Sequence, residues 1–160
     1  MLQYFKNLVV FVSDESSNPQ SETEKIHLAA AVLLVEVMMA DHEVKEEELN
    51  QIVKVLETLF SVKKEQSALL IDEARHRHEE LVSLHELTSV INEQRDQELK
   101  RKLVFAMWCI SFSDDDKDKY EEHLIRKVAD LLYLSHSDFI QARHKALSHC
   151  NSGEKDLKKR

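Results

Sequence analysis

The chain contains one glycine, Gly153, and one proline, Pro19, among its 160 residues. Phosphate-binding loops, Rossmann turns, primed hairpin turns and nucleophile elbows all rely on glycine for backbone conformations that other residues adopt poorly. Most nucleotide-binding and α/β-hydrolase classes are therefore excluded. Leucine, glutamate and lysine dominate instead, and these residues favour helices. The composition predicts an all-α fold with short polar connections.

Cysteine and long apolar runs are also scarce, and the 30 acidic residues outnumber the 22 lysines and arginines. The net charge is −8, so no nucleic-acid partner is expected, because phosphate binding needs a basic surface. Cys109 and Cys150 lie in different helical contexts and are expected to be reduced thiols rather than a disulfide framework. No signal-peptide pattern is found, and no apolar run reaches the roughly 18 residues of a spanning helix. We expect a cytoplasmic protein with no integral membrane segment.

The apolar periodicity predicts about seven to eight helices in three regions. Residues 1–20 are expected to form a short helix and a linker, and residues 21–150 the helical domain. Residues 151–160 are expected to form a basic, disordered tail. Polar residues that can cap helices precede several of the apolar segments, namely Ser21, Ser61, Ser83, Asp96 and Ser135.

Six carboxylates occur between Asp114 and Glu122, which raises the question of a calcium-binding loop. An EF-hand loop needs glycine at position 6 and glutamate at position 12. Counted from Asp114, these positions hold Lys119 and Ile125. The segment is therefore not an EF-hand.

A shift of 73 residues aligns the two halves of the domain, about 22–80 and 95–149, as internal repeats. Apolar positions match, as with Ile52 and Ile125. Acidic positions match in the same register, with Asp41 on Asp114 and Glu48 on Glu121. Each half thus has an apolar helix, an acidic loop and a glutamate seven residues after the first aspartate.

These residues resemble the TerB-like family, the helical domain named for bacterial tellurite-resistance TerB, over roughly residues 22–147. The family pattern Ala-Asp-Gly-x-(Ile/Val)-x-x-x-Glu is similar to ADHEVKEEE at 40–48 and to SDDDKDKYE at 113–121. The resemblance implies a pseudo-duplicated helical bundle whose acidic residues bind divalent cations. It also implies a stress-response or chaperone-linked role near the membrane.

Both copies depart from the family pattern. His42 and Asp115 replace the glycines, and Lys117 replaces the apolar residue of the second copy. Aspartate and histidine can adopt the left-handed conformation that glycine usually supplies. Lys117 puts a positive charge beside the second acidic cluster, so the first cluster is the stronger candidate for a cation.

The acidic residues have two open interpretations. As a cation site, their oxygens suit Ca²⁺, Mg²⁺ or Mn²⁺, and no organic cofactor is expected. The predicted ligands are Asp41, Glu48, Asp114, Glu121, Glu36, Glu43 and Asp116. As ordinary helix caps, the same residues gain about 0.3–1 kcal/mol from the helix dipole without any metal.

The sequence also bears on two other function classes, an adaptor and an enzyme. A metal-independent interaction or co-chaperone-like adaptor would bind other proteins through a helix face or the acidic surface. An enzyme is not expected, since no nucleophile arrangement stands out and His76 and His78 are two apart on a helix, where they point in different directions. We therefore expect a non-catalytic module with protein partners.

Overall fold

The computed structural model describes residues 19–40, 46–79, 83–113 and 119–158. All regular structure in these residues is helical, which confirms the all-α prediction. The seven described helices are α1 (Pro19–Met39), α2 (Glu46–Phe60), α3 (Lys64–Glu79), α4 (Leu84–Asn92), α5 (Gln97–Phe112), α6 (Lys119–Leu131) and α7 (His136–Lys158). The predicted N-terminal helix and the two acidic loops, 41–45 and 114–118, lie outside the described residues. None of the described helices is both long and apolar enough to span a membrane.

The helix boundaries repeat with the same spacing as the sequence. Helix α1 ends at Met39 and α5 at Phe112, while α2 begins at Glu46 and α6 at Lys119. Both pairs of boundaries differ by the 73 residues that align the sequence. In the first half α1 packs on α2 and α3, and in the second half α5 packs on α6 and α7. Helix α4 joins the halves, and the predicted pseudo-duplicated bundle is confirmed.

The core is built around the two apolar helices α1 and α5. Residues 28–35, Val37 and Met38 of α1 are buried, and Glu36 alone within this stretch is half-buried. Helix α5 is buried at 103–104 and 106–110, and Trp108 is 2% exposed. A helix that is apolar on all sides must be covered by its neighbours, and the prediction that these two helices are the most buried is confirmed.

Polar residues begin three helices as predicted. The Ser83 hydroxyl accepts from the His85 N–H, and the Asp96 carboxylate accepts from the N–H groups of Glu98 and Leu99. The Ser135 hydroxyl accepts from the Asp138 N–H. Each cap satisfies an N–H group that has no partner within its helix.

Two predicted helix starts need correction. Ser61 does not cap α3, because it has φ 55 and follows the end of α2, while α3 begins only at Lys64. A left-handed residue after a helix turns the chain away from the helix axis, and the next N–H, of Val62, donates to the Leu56 carbonyl. Helix α1 begins at Pro19, two residues before the predicted capping box. Proline suits a first helical turn, where its missing N–H leaves no bond unmade.

The end of the last helix also differs from the prediction. Helix α7 was expected to end near His149, with a disordered tail from residue 151, but its backbone is helical to Lys158. The segment 151–158 contains Glu154, Lys155 and Leu157, which favour a helix, and lysine near a helix C-terminus is favoured by the dipole. The helix propensity of these residues and the favourable lysine–dipole interaction outweigh the free-energy cost of Gly153 within the helix.

Candidate functional site

Two buried carboxylates occupy equivalent places in the two halves. Glu48 and Glu121 are each the third residue of their helix, α2 and α6. Glu48 is 0% exposed and Glu121 is 1% exposed. Their acidic neighbours Glu46, Glu47 and Glu122 are all exposed. The first turn of each helix therefore directs one glutamate inward and leaves the others in water.

Helical geometry explains why these two glutamates are buried. Residues four and seven positions further along a helix lie on the same face. For Glu48 these residues are Ile52 and Val55, and for Glu121 they are Ile125 and Val128. All four belong to the hydrophobic core. Each carboxylate thus lies at the N-terminal end of the apolar face of its helix. The other residues of that face have hydrocarbon side chains.

The second buried carboxylate has a polar partner in the preceding helix. The Ser111 hydroxyl donates a 2.8 Å hydrogen bond to Oε2 of Glu121. In the repeat register the counterpart of Ser111 is Met38, which is fully buried and has no hydroxyl to donate. Sequence reasoning missed Ser111, although the register that aligns Glu48 with Glu121 also places this serine within an otherwise apolar helix end.

Arginines and aromatic rings cover the end of α5 in the second half. The Trp108 and Phe112 rings stack with centroids 5.3 Å apart. The guanidinium carbon of Arg143 lies 5.6 Å from the Trp108 centroid and 5.9 Å from the Phe112 centroid. That of Arg126 lies 5.2 Å from the Phe139 centroid, and such distances are typical of cation–π contacts.

The first half carries no cation at either of these two positions. The counterparts of Arg126 and Arg143 are Val53 and Leu70, which pack partly buried against the core. Lys117, which the sequence places in the second acidic loop, also has an uncharged counterpart, Val44. Each loop sequence holds one lysine, Lys45 in the first and Lys117 in the second, so the two arginines on the described helices are what distinguishes the second half.

The structure describes three of the seven predicted ligands. Glu48 and Glu121 are buried, and Glu36 is half-buried on α1. The other four lie outside the described residues, namely Asp41, Glu43, Asp114 and Asp116. Among the side chains that are described, no three of the histidine, cysteine, aspartate and glutamate type form a metal-binding group. Glu36, Glu48 and Glu121 are therefore not brought together as one three-residue site.

A histidine lies at the opposite end of α2 from Glu48. The rings of His27 and Phe60 meet edge to face with centroids 6.4 Å apart. Burial lowers the pKa of His27, although the charge of Glu24 and the hydrogen bond to the Phe60 backbone act to raise it. The second-half counterpart of His27 is Lys100. The imidazole between α1 and α2 thus has no histidine counterpart in the second half.

These features define a class of protein: a duplicated helical bundle with a buried glutamate following each of two acidic loops. A model of the family described as tellurite resistance protein TerB matches residues 27–144. This range covers α2 to α6 completely, with most of α1 and part of α7, and well over half of the chain. The chain belongs to the TerB family, as its acidic motifs predicted. No curated protein and no solved structure gave a significant match.

Proposed function

We propose that the chain is a non-catalytic TerB module that binds a divalent cation, Ca²⁺, Mg²⁺ or Mn²⁺, at its first acidic corner. This corner consists of the loop 41–45 and Glu48 at the start of α2. The proposed ligands are the carboxylate oxygens of Asp41 and Glu48, with Glu36 and Glu43 as further candidates. The observation that carries the proposal is the complete burial of Glu48, repeated at Glu121.

Burial separates this interpretation from ordinary helix capping. A glutamate in a first helical turn gains from the dipole while its carboxylate stays in water, as the exposed Glu46 and Glu47 do. Moving an ionised carboxylate out of water costs several kcal/mol unless hydrogen bonds, a proton or a positive ion compensate. Capping alone gives no reason to bury the same glutamate in both halves, whereas a bound cation does.

The oxygens fit hard cations. Ca²⁺, Mg²⁺ and Mn²⁺ prefer carboxylate, carbonyl and water oxygens. Asp41 lies two residues after the end of α1 and Glu48 is the third residue of α2, so the intervening turn is short. Two carboxylates held at such a corner repel each other, and a cation would offset this repulsion and stabilise the loop.

The second corner is the weaker candidate because it has other means of satisfying its acids. Ser111 already donates to Glu121. Lys117 lies within the loop sequence, and Arg143 covers the end of α5 that leads into it. A positive side chain near a carboxylate supplies part of the charge that a metal would bring, and it repels an incoming cation.

The cation would act on the protein rather than on a substrate. By ordering the first loop it would set the surface that α2 and its loop present to a protein partner. The family membership supports a tellurite-resistance-like stress response as the setting. The proposed location is the cytoplasm, with a protein partner at the membrane surface. No reaction is assigned to the module.

Thermal unfolding of the full chain with and without each cation tests the proposal. A ligand that binds only the folded state raises the unfolding temperature by mass action. We expect Ca²⁺, Mg²⁺ or Mn²⁺ to stabilise the wild type, and the double variant Asp41→Asn, Glu48→Gln to lose this response. The equivalent variant of the second half, Asp114→Asn, Glu121→Gln, should keep most of it.

The exposed first-turn glutamates provide a matched control. The variant Glu46→Gln, Glu47→Gln removes two charges from the same turn without touching the buried position, and it should retain the response to cation. Wild-type protein that responds to none of the three cations would contradict the proposal and favour a metal-independent adaptor. Equal loss in the control variant would show only nonspecific attraction by negative charge.

A further inference from the structure

The two cysteines of the chain lie on the most extensive helix pair of the bundle, α5 with α7. The rings of Phe105 and His149 meet with centroids 6.1 Å apart. Phe105 precedes Cys109 by one helical turn, and His149 immediately precedes Cys150. The sequence interpretation placed the two thiols in different helical contexts, but this packing brings those helices together.

The buried face of α7 directs Cys150 toward the same contact. Phe139, Ala142 and Ala146 are buried, and Cys150 follows Ala146 by the four residues that keep a side chain on one helical face. Alanine at a helix contact allows the two backbones to approach closely, since interaxial distance depends on the side chains between them. Cys150 thus ends the stripe that packs on α5.

The two thiols differ in access to solvent. Cys109 is 1% exposed, whereas Cys150 is half-buried near the end of the stripe. Burial, with a smaller contribution from Cys150, raises the pKa of Cys109 to about 12 against the opposing effect of Lys54. Cys109 is therefore protonated and shielded from dissolved oxidants, and only Cys150 is open to a dissolved reagent.

We propose that Cys109 and Cys150 form a reversible disulfide between α5 and α7 when a peroxide reaches the protein. In the first step the Cys150 sulfur attacks the peroxide O–O bond. This gives a sulfenic acid, and the leaving oxygen departs as water or an alcohol. In the second step the Cys109 sulfur attacks the Cys150 sulfur, the S–O bond breaks, and the Cys109 proton leaves with the hydroxyl as water. Two thiols are oxidised and one peroxide is reduced.

The bond would be a reversible link between two helices of the second half. A disulfide restricts the unfolded chain more than the folded chain, and it would join the packed helices without changing the apolar contacts between them. The buried thiol would also act as the resolving group that keeps Cys150 from further oxidation. This inference does not depend on cation binding, because it uses no residue of either acidic corner.

Intact mass of the full chain after treatment with hydrogen peroxide tests the proposal. With only two cysteines in the sequence, a monomer that loses the mass of two hydrogens, restored by dithiothreitol, identifies this bond. We also expect a reducible upward shift of the unfolding temperature. Cys109→Ala should accumulate sulfenic and sulfinic acid on Cys150, and Cys150→Ser should leave Cys109 unmodified.

Two results would overturn the proposal. Wild-type monomer that gains only oxygen at Cys150 would show that Cys109 does not reach it. Oxidation that yields only disulfide-linked dimers would show that Cys150 pairs between chains instead. Both outcomes are read on the wild type, so they stand even where a cysteine variant folds poorly.

Discussion

The two halves of the bundle share a backbone plan and differ in the side chains around the start of their second helix. In both halves a buried glutamate lies at the third position of that helix, Glu48 in α2 and Glu121 in α6. In the second half Glu121 accepts a hydrogen bond from a serine hydroxyl, and two arginines contact aromatic rings of α5 and α7. At the same register positions the first half has apolar residues, namely Met38, Val53 and Leu70.

This difference shows which features of the repeat the backbone needs and which it does not. The helix ends and the inward glutamate coincide in both copies, so they belong to the fold they share. The hydroxyl and the arginines occur in one copy only, so the fold forms without them. The same buried glutamate is thus accommodated with a serine donor in one copy and with methionine at that register position in the other.

The largest expected effect tests whether the two cores are equally packed. Ile52 and Ile125 are register partners and both are fully buried. Replacing either with alanine removes buried methyl groups and leaves a cavity, which costs about 2–5 kcal/mol in the free energy of unfolding. We expect similar losses for the two variants in urea denaturation. A much smaller loss at one site would break the equivalence of the halves.

The next effect concerns the polar support that only the second half has. Ser111→Ala removes a donor from a buried carboxylate and should destabilise the protein by about 1–3 kcal/mol. The cost should shrink in a Glu121→Gln background, as a double-mutant cycle would measure. Ser113→Ala is the control, because its hydroxyl donates to a backbone carbonyl, that of Ile110, and not to a carboxylate. Equal losses of unfolding free energy for the two serine variants would show that the Ser111 hydroxyl does not specifically support Glu121.

The smallest effect concerns pH. Burial lowers the pKa of His27 below its ordinary value of 6.5, so the unfolded chain takes up the proton more readily than the folded chain. Stability should therefore fall as pH drops through 6.5, and the fall should stop below the folded pKa. His27→Gln should flatten this part of the pH profile in thermal unfolding. An unchanged profile in this variant would contradict the prediction.

Much of the fold was predictable because its signals are local. Apolar periodicity located the described helices, and polar caps at Ser83, Asp96 and Ser135 located three of their starts. Ser61 misled the prediction, because serine can begin a helix or take a left-handed turn after one, and only the surrounding chain decides between them. The end of α7 was misplaced because glycine is tolerated inside a helix when its neighbours favour helix.

The candidate site was less predictable because it depends on contacts between helices. The register selected Glu48 and Glu121, but their burial appears only once α2 and α6 pack on α1 and α5. The hydrogen bond from Ser111 and the packing of α5 on α7, which carry the two cysteines, both depend on contacts between helices. Residue spacing along one helix carries no information about which other helix its face will meet.

The central position of α1 has a consequence for how the chain folds. Although α1 belongs to the first repeat, it packs on α4, α5 and α6 as well as on its own partners α2 and α3. A first-repeat fragment would therefore expose one side of its most apolar helix, and a second-repeat fragment would lose the surface on which it packs. The duplication thus produced one cooperative folding unit rather than two separable domains, and local opening in either copy weakens the core of both.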